Sequence, residues 1–287
     1  MVRSRFICLL ALCAPLADAA IGRAANWASN VVDYSAGATY APSDLPAAGA
    51  ANASYTSVAP GATAILDGLP ADVGMGTPYS SVLTPFNAAY QPADILGMGQ
   101  GGSITLQFAT PVRTNGYTIG VHTASGLYDS DYPNGSAGAT ATPYTTPRRA
   151  TIGVSADNFH WISLGTFDLD NPSNYYATGV DTPGYQLSVT GGTPADVERP
   201  FVGSLSGFSG KDWPQILAML DGSAGGNWVD LSSTGLPSVS YIRFTVSAGS
   251  VLYLDGVVGL PVPEPSSLAL LALGAMGLTF RRRKNLS

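Results

Sequence analysis

The chain has 287 residues, enough for one large β domain or two small ones. Charged residues make up only 11% while Gly (34) and Pro (21) are abundant, which excludes long helical bundles and favours short strands joined by Gly/Pro-rich turns. The formal net charge is −6, but residues 20–262 hold only 7 of the 13 basic side chains against 17 of the 19 acidic ones, so the body is near −10 and repels phosphate backbones, which excludes nucleic acid as a partner.

Residues 1–19 read as a secretory signal peptide. Arg3 and Arg5 form a charged start, residues 6–16 an apolar run, and Ala17-Asp18-Ala19 the small-residue site that a signal peptidase accepts. The predicted cut follows Ala19, and the implied export partners are the Sec translocon and signal peptidase. A lipoprotein cut before Cys13 is excluded, because Leu12 stands where a small residue is needed. Both cysteines, Cys8 and Cys13, lie inside this segment, so the mature chain has no disulfide, no Cys nucleophile and no Cys-ligated zinc.

No internal repeat is visible. Residues 20–94 are rich in Ala, Gly, Ser, Thr and Pro and read as loops and short strands leading into a domain at 95–260. Within that domain the alternating segment 103–108 (SITLQF) predicts a half-buried strand and 116–121 (GYTIGV) a second. Residues 123–147 are expected to be a long loop. Segments 149–155 (RATIGVS) and 161–167 (WISLGTF) predict a hairpin around 156–160, with Trp161 expected to plug the core. Another strand is expected at 185–190. Asp212 can cap a short helix with Pro214 in its first turn, running to Leu220. Strands at 241–246 (YIRFTV) and 251–258 complete the pattern.

The C-terminal residues carry the sharpest signal. Pro263-Glu264-Pro265 is followed by an apolar run at 266–280 and then by Arg281-Arg282-Arg283-Lys284. Prolines keep the first part extended. The apolar run is Leu/Ala-rich and helix-forming, and the basic cluster acts as a membrane stop held in the cytoplasm. Fifteen helical residues span only ~22 Å, short of the ~30 Å hydrocarbon core, which suits a transient anchor. In this order the three parts, at 261–287, resemble the PEP-CTERM sorting signal of Gram-negative bacteria. The resemblance implies an exosortase-type enzyme that recognises Pro263-Glu264-Pro265, a transient inner-membrane anchor, and a final place at the cell surface or in the extracellular matrix.

A second resemblance lies in the body. The segments 101–108, 150–161, where a strand ends in Ser155-Ala156-Asp157 and Trp161 opens the next, and 239–244 are similar in order and spacing to discoidin-like, galactose-binding-like domains. This implies a mostly β, antiparallel β-sandwich of jelly-roll type over 95–260. The chain departs from that family in lacking its frequent cysteine pair and in carrying a long insertion at 168–238.

Chemistry-bearing residues are few. The histidines are His122, at a strand end, and His160, in a hairpin turn; no Gly-x-Ser-x-Gly elbow exists. Glu198 is the only glutamate in the body, so a carboxylate pair for glycoside hydrolysis would have to use Asp. The chain is therefore expected not to be an enzyme and to need no cofactor. Asp129, Asp131 and Asn134 near Gly135, and Asp168 with Asp170, group hard oxygen ligands and are calcium candidates. An Asx-rich surface turn is the plainer reading of each. The resembled family sometimes holds a structural calcium, which keeps that cofactor in view. Tyr128, Tyr132, Trp213 and Trp228, in expected loops, are candidates for stacking on sugars, as are Tyr175 and Tyr176. The expected function is a non-catalytic envelope or exopolysaccharide-associated protein that binds glycan. The alternatives are a secreted polysaccharide- or ester-directed hydrolase and a matrix or adhesion protein that binds other proteins.

Overall fold

The structure, a computed structural model, describes residues 25–28, 30–35, 37–38, 83–88, 96–143, 148–184 and 192–263. The expected signal peptide at 1–19, most of 20–94, the strand expected at 185–190, the expected helix at 266–280 and the expected basic stop at 281–284 lie outside the described residues.

Among the described residues, nine strands form two antiparallel sheets. In chain order they are β1 (Asn30–Ser35), β2 (Leu96–Met98), β3 (Ser103–Val112), β4 (Tyr117–Thr123), β5 (Arg149–Ser155), β6 (Trp161–Asp168), β7 (Asn227–Asp230), β8 (Val239–Val246) and β9 (Leu252–Gly259). One sheet has the order β1-β3-β8-β5-β6 and the other β2-β9-β4-β7. Period-2 alternation sets the faces: Ile104 and Leu106, Ile152 and Val154, and Ile242 and Phe244 point inward and meet Leu252, Leu254 and Val257 of the facing sheet. The fold is a mostly β sandwich of jelly-roll type, as the sequence pattern predicts.

The hairpin turn at 156–160 is closed by side chains. The Ser155 hydroxyl accepts the backbone N–H groups of Asp157 and Asn158. Asp157 Oδ1 accepts those of Phe159 and His160, and Oδ2 lies 2.7 Å from His160 Nδ1. These donors hold the Asp157 carboxyl far below the usual range, and the carboxylate in turn raises His160. Trp161 pairs with Ser155 across the hairpin, and this register corrects its expected place. The core-facing side chains of β6 are Ile162, Leu164 and Phe167, so Trp161 lies on the outer face. There the Arg243 guanidinium sits 4.0 Å from its ring centroid.

The expected helix is α1 (Trp213–Leu220). Gln215 N–H donates to Asp212 Oδ1 at 3.0 Å, and Gln215 Oε1 accepts from Asp212 N–H, which closes a capping box. Asp221 ends the helix in the left-handed region at φ 49°. Trp213, Ile216 and Leu220 form its buried face.

The insertion does more than decorate the sandwich. All eight residues of β9 are buried, because the outer face of its sheet is also covered. Tyr253 packs with Leu83 and Tyr175 in one cluster. Trp228 and Val258 join Phe86, Leu127, Phe208 and α1 in another. Residues 83–88, residues 124–143 and, of the insertion, residues 169–184 and 192–226 thus add a third layer to the four-stranded sheet. Gly120 makes room for it: a Cβ there would lie 2.9 Å from both Trp228 and Val258 side-chain carbons.

Candidate functional site

β6 and β7 are edge strands on the same side of the two sheets. A groove of about 710 Å³ runs along that side. Phe167 and Asp168 of β6, Arg149 of β5, Tyr117 of β4, and Asn227 and Trp228 of β7 form its strand walls. The insertion supplies the rest, chiefly Asp170, Asn171 and the segment 201–206, and the loop after β4 adds Thr140 and Ala141. Tyr117 is 39% and Val202 62% exposed, so the walls present apolar surface to solvent. Asn171 is fixed in place: its Nδ2 donates to the Gly203 carbonyl at 3.0 Å and its backbone N–H to Asn227 Oδ1 at 3.2 Å.

Two adjacent arginines meet two nearby aspartates in different ways. Arg149 Nε donates to Asp168 Oδ1 at 2.6 Å in an open pair. Arg148 is fully buried. Its backbone N–H donates to Asp170 Oδ1 at 3.0 Å, and Nη1 lies 3.9 Å from the same oxygen. Its guanidinium also faces the Tyr253 ring at 5.7 Å. Burial pulls Arg148 down to about 10, which leaves it charged at neutral pH. Burial raises Asp170, and the Arg148 N–H and charge act against that rise.

The sequence-predicted residues divide by surroundings. Among the calcium candidates, Asp129 already accepts the backbone N–H groups of Asp131, Gly135 and Ser136. A carboxylate that closes a turn in this way gives the Asx-turn geometry of the plainer reading. Asn134 Nδ2 reaches Asp131 Oδ2 at 3.4 Å. Asp168 and Asp170 face arginines, a setting that opposes a second cation. Among the described residues no group of three or more His, Cys, Asp or Glu side chains could hold a metal ion.

Of the aromatic candidates, Tyr128 and Tyr132 are 61% and 60% exposed but do not line the groove. Trp213 is buried edge-on against Phe86, because it belongs to the apolar face of α1. Tyr175 is buried with its hydroxyl donating to Asp255. Only Trp228 reaches the groove, at its floor, where Nε1 donates to the Gly225 carbonyl. Sequence reasoning missed Tyr117, Phe167 and Phe201. Neither histidine lines the groove. His122 is fully buried, with Nδ1 3.0 Å from Ser173 Oγ. Glu198 accepts the backbone N–H of Asn26.

The chain leaves the sandwich just past β9. Leu260 N–H donates to the Thr118 carbonyl and Val262 N–H to the Pro111 carbonyl, at 2.8 and 2.9 Å. Val262 and Pro263 are already exposed. Residues 261–284 match the family described as the PEP-CTERM protein-sorting motif. The chain carries that sorting signal. The motif is the recognition signal of exosortase, and it makes this an exported protein with a membrane-associated C-terminal sorting segment. No curated protein matches the chain. Among solved structures, the chain is similar to CBM32-3 from a family 31 glycoside hydrolase from Clostridium perfringens, at 13% identity and a TM-score of 0.23, covering 67% of this chain and 94% of that one.

Proposed function

We propose that this is a non-catalytic, exopolysaccharide-associated protein of the cell surface or matrix, which binds glycan in the groove between β6 and β7. The observation that carries the reading is the composition of the groove. Exposed Tyr117 and Val202 and the rings of Phe167 and Phe201 supply apolar surface. Arg149, Asp168, Asn171, Asn227 and the hydroxyls of Ser204, Ser206 and Thr140 supply hydrogen-bonding groups between them. Sugars need both, an apolar ring face and a rim of hydroxyls to satisfy. The sorting signal supports the location, since an exported surface protein meets polysaccharide first. Exosortase is the processing partner, with Pro263-Glu264-Pro265 as the site it recognises. A pull-down of the purified protein on the producer's own exopolysaccharide tests the reading, with Tyr117→Ala as the control variant. Retention that falls in the variant is expected. Equal retention of both proteins places binding elsewhere.

One observation favours the hydrolase reading. Asp168 and Asp170 line the same groove, and burial raises Asp170, the direction a general acid needs. Both carboxylates face arginines, which argues for fixed structural roles. A screen on polysaccharide and ester substrates decides the matter: turnover abolished by Asp170→Asn would establish the hydrolase.

A further inference from the structure

We infer that the groove takes an internal stretch of an uncharged polysaccharide, and neither an acidic chain nor a chain end. The inference rests on the glycan-binding reading above and specifies its ligand.

The first argument is charge. Among the described residues three ionisable side chains of fixed sign line the groove: Arg149, Asp168 and Asp170. Arg149, the single cation among them, is already held by Asp168 at 2.6 Å. Asp170 is matched from behind by buried Arg148. A uronate or sulfate entering here would find no free cation and would face two carboxylates. The body around it is near −10, so a polyanion is also repelled on approach. A neutral sugar meets none of these costs, and the Arg149–Asp168 pair offers it donors and acceptors together. The pair therefore acts as a filter against acidic ligands as well as a contact for neutral ones.

The second argument is shape. The groove extends along β4 and β7, and β6 meets it at its last two residues. Tyr117 opens β4 and pairs with Asp230, whereas Asn227 pairs with Val121. Four strand residues separate these two levels, or ~13 Å at ~3.3 Å each. Across from them Asp168 closes β6 and pairs with Arg149, the first residue of β5. On the β4–β7 side the lining thus extends ~13 Å along the strands, longer than one sugar ring.

Affinity electrophoresis of the purified full chain tests both parts. The uncharged gels hold dextran, galactomannan or xyloglucan, the acidic gels alginate or polygalacturonate, each at 20 and 500 mM NaCl. The expected result is retardation by at least one uncharged polymer, changing less than about twofold with salt. Affinity for its oligosaccharides should rise with chain length beyond the monosaccharide. Asp168→Asn frees Arg149 and should create salt-sensitive retardation by polygalacturonate, in a variant whose melting temperature shows that it folds. Retardation of the native protein only by acidic polymers, weakening with salt, overturns the inference and leaves the glycan reading standing. Affinity already maximal at a monosaccharide overturns the internal-stretch part. No retardation in any gel removes the glycan reading itself, and this inference with it.

Discussion

The two sheets of this sandwich share one core but differ in what lies behind them. The outer face of the five-stranded sheet carries ordinary surface chemistry: half-buried Arg243, Tyr241 and Thr151 alternate with core residues, and Thr245 is exposed. The outer face of the four-stranded sheet is a second interior, with Tyr253, Trp228 and Val258 under a layer drawn from three separate stretches of chain. A strand buried on both faces must satisfy every polar group it brings along. The four-stranded side therefore holds buried Arg148, His122, Asp255 and Tyr175, while the five-stranded side keeps its charges at the surface. The same residue types have different consequences on the two sides, and the difference can be measured.

The largest effect should come from the buried ion pair. Arg148→Ala leaves Asp170 partly buried beside a lost cation and removes the bond from Nη2 to the Ala124 carbonyl. Truncating one member of such a pair costs ~3–5 kcal/mol. Urea denaturation should show a loss of that size, whereas Arg149→Ala, one residue along in an open pair, should leave the midpoint nearly unchanged. Similar midpoints for the two variants would erase the distinction between the faces.

Next comes acid. His122 is buried with its Nε2 unpartnered, and burial pulls it down to about 4. The unfolded chain titrates near 6.5. As pH falls through that value the unfolded state takes up a proton that the folded state refuses, so stability drops between about 6.5 and 4. The full loss is about 3 kcal/mol, from the width of that window. His122→Gln should flatten the pH profile of the urea midpoint in this range. An unchanged slope would assign the acid sensitivity to other groups. His160, raised by Asp157 on the open side, should titrate above an ordinary imidazole in NMR; its stabilisation, present at low pH and lost as pH rises through that raised value, should be much smaller than the His122 effect because the pair is exposed to solvent.

A smaller effect tests the covering layer directly. Gly120→Ala places a Cβ against Trp228 and Val258, and overpacking of this kind costs ~1–3 kcal/mol. Because Trp228 floors the groove, the variant should shift tryptophan emission and weaken ligand binding together. A stability loss without either change would place the strain at Val258.

The β sandwich was legible in the sequence because its strands alternate plainly. SITLQF, RATIGVS and YIRFTV each have one apolar face, and each became a strand with that face inward. The helix at Trp213–Leu220 was legible from Asp212, Pro214 and Gln215, which carry their own local chemistry. What stayed hidden depends on tertiary cover. Nothing in the sequence around Tyr253 or Trp228 says that a second layer will bury their outward faces. The groove was hidden for the same reason. Tyr117, Phe167 and Phe201 come from three segments and meet only when the edges of β6 and β7 lie side by side. The loop aromatics Trp213 and Tyr175 misled because a ring in a loop reads as exposed until the loop is packed.

The smallest expected effect lies on the open face. Trp161 and Arg243 stack at 4.0 Å, with Arg243 Nε donating to Thr105 Oγ1 at 2.9 Å. A cation over a ring at a half-exposed site contributes ~0.5–1 kcal/mol. Arg243→Lys keeps the charge but loses the planar fork, so it should lose most of that stacking energy. Trp161→Ala should cost more than Arg243→Lys, since it also removes apolar area and the bond to the Asn158 carbonyl. A double-mutant cycle separates the stacking term from these losses. Coupling within ~1 kcal/mol agrees with a face open to water. Coupling of several kcal/mol would mean that this face is as dry as its counterpart, and the contrast between the two sheets would fail.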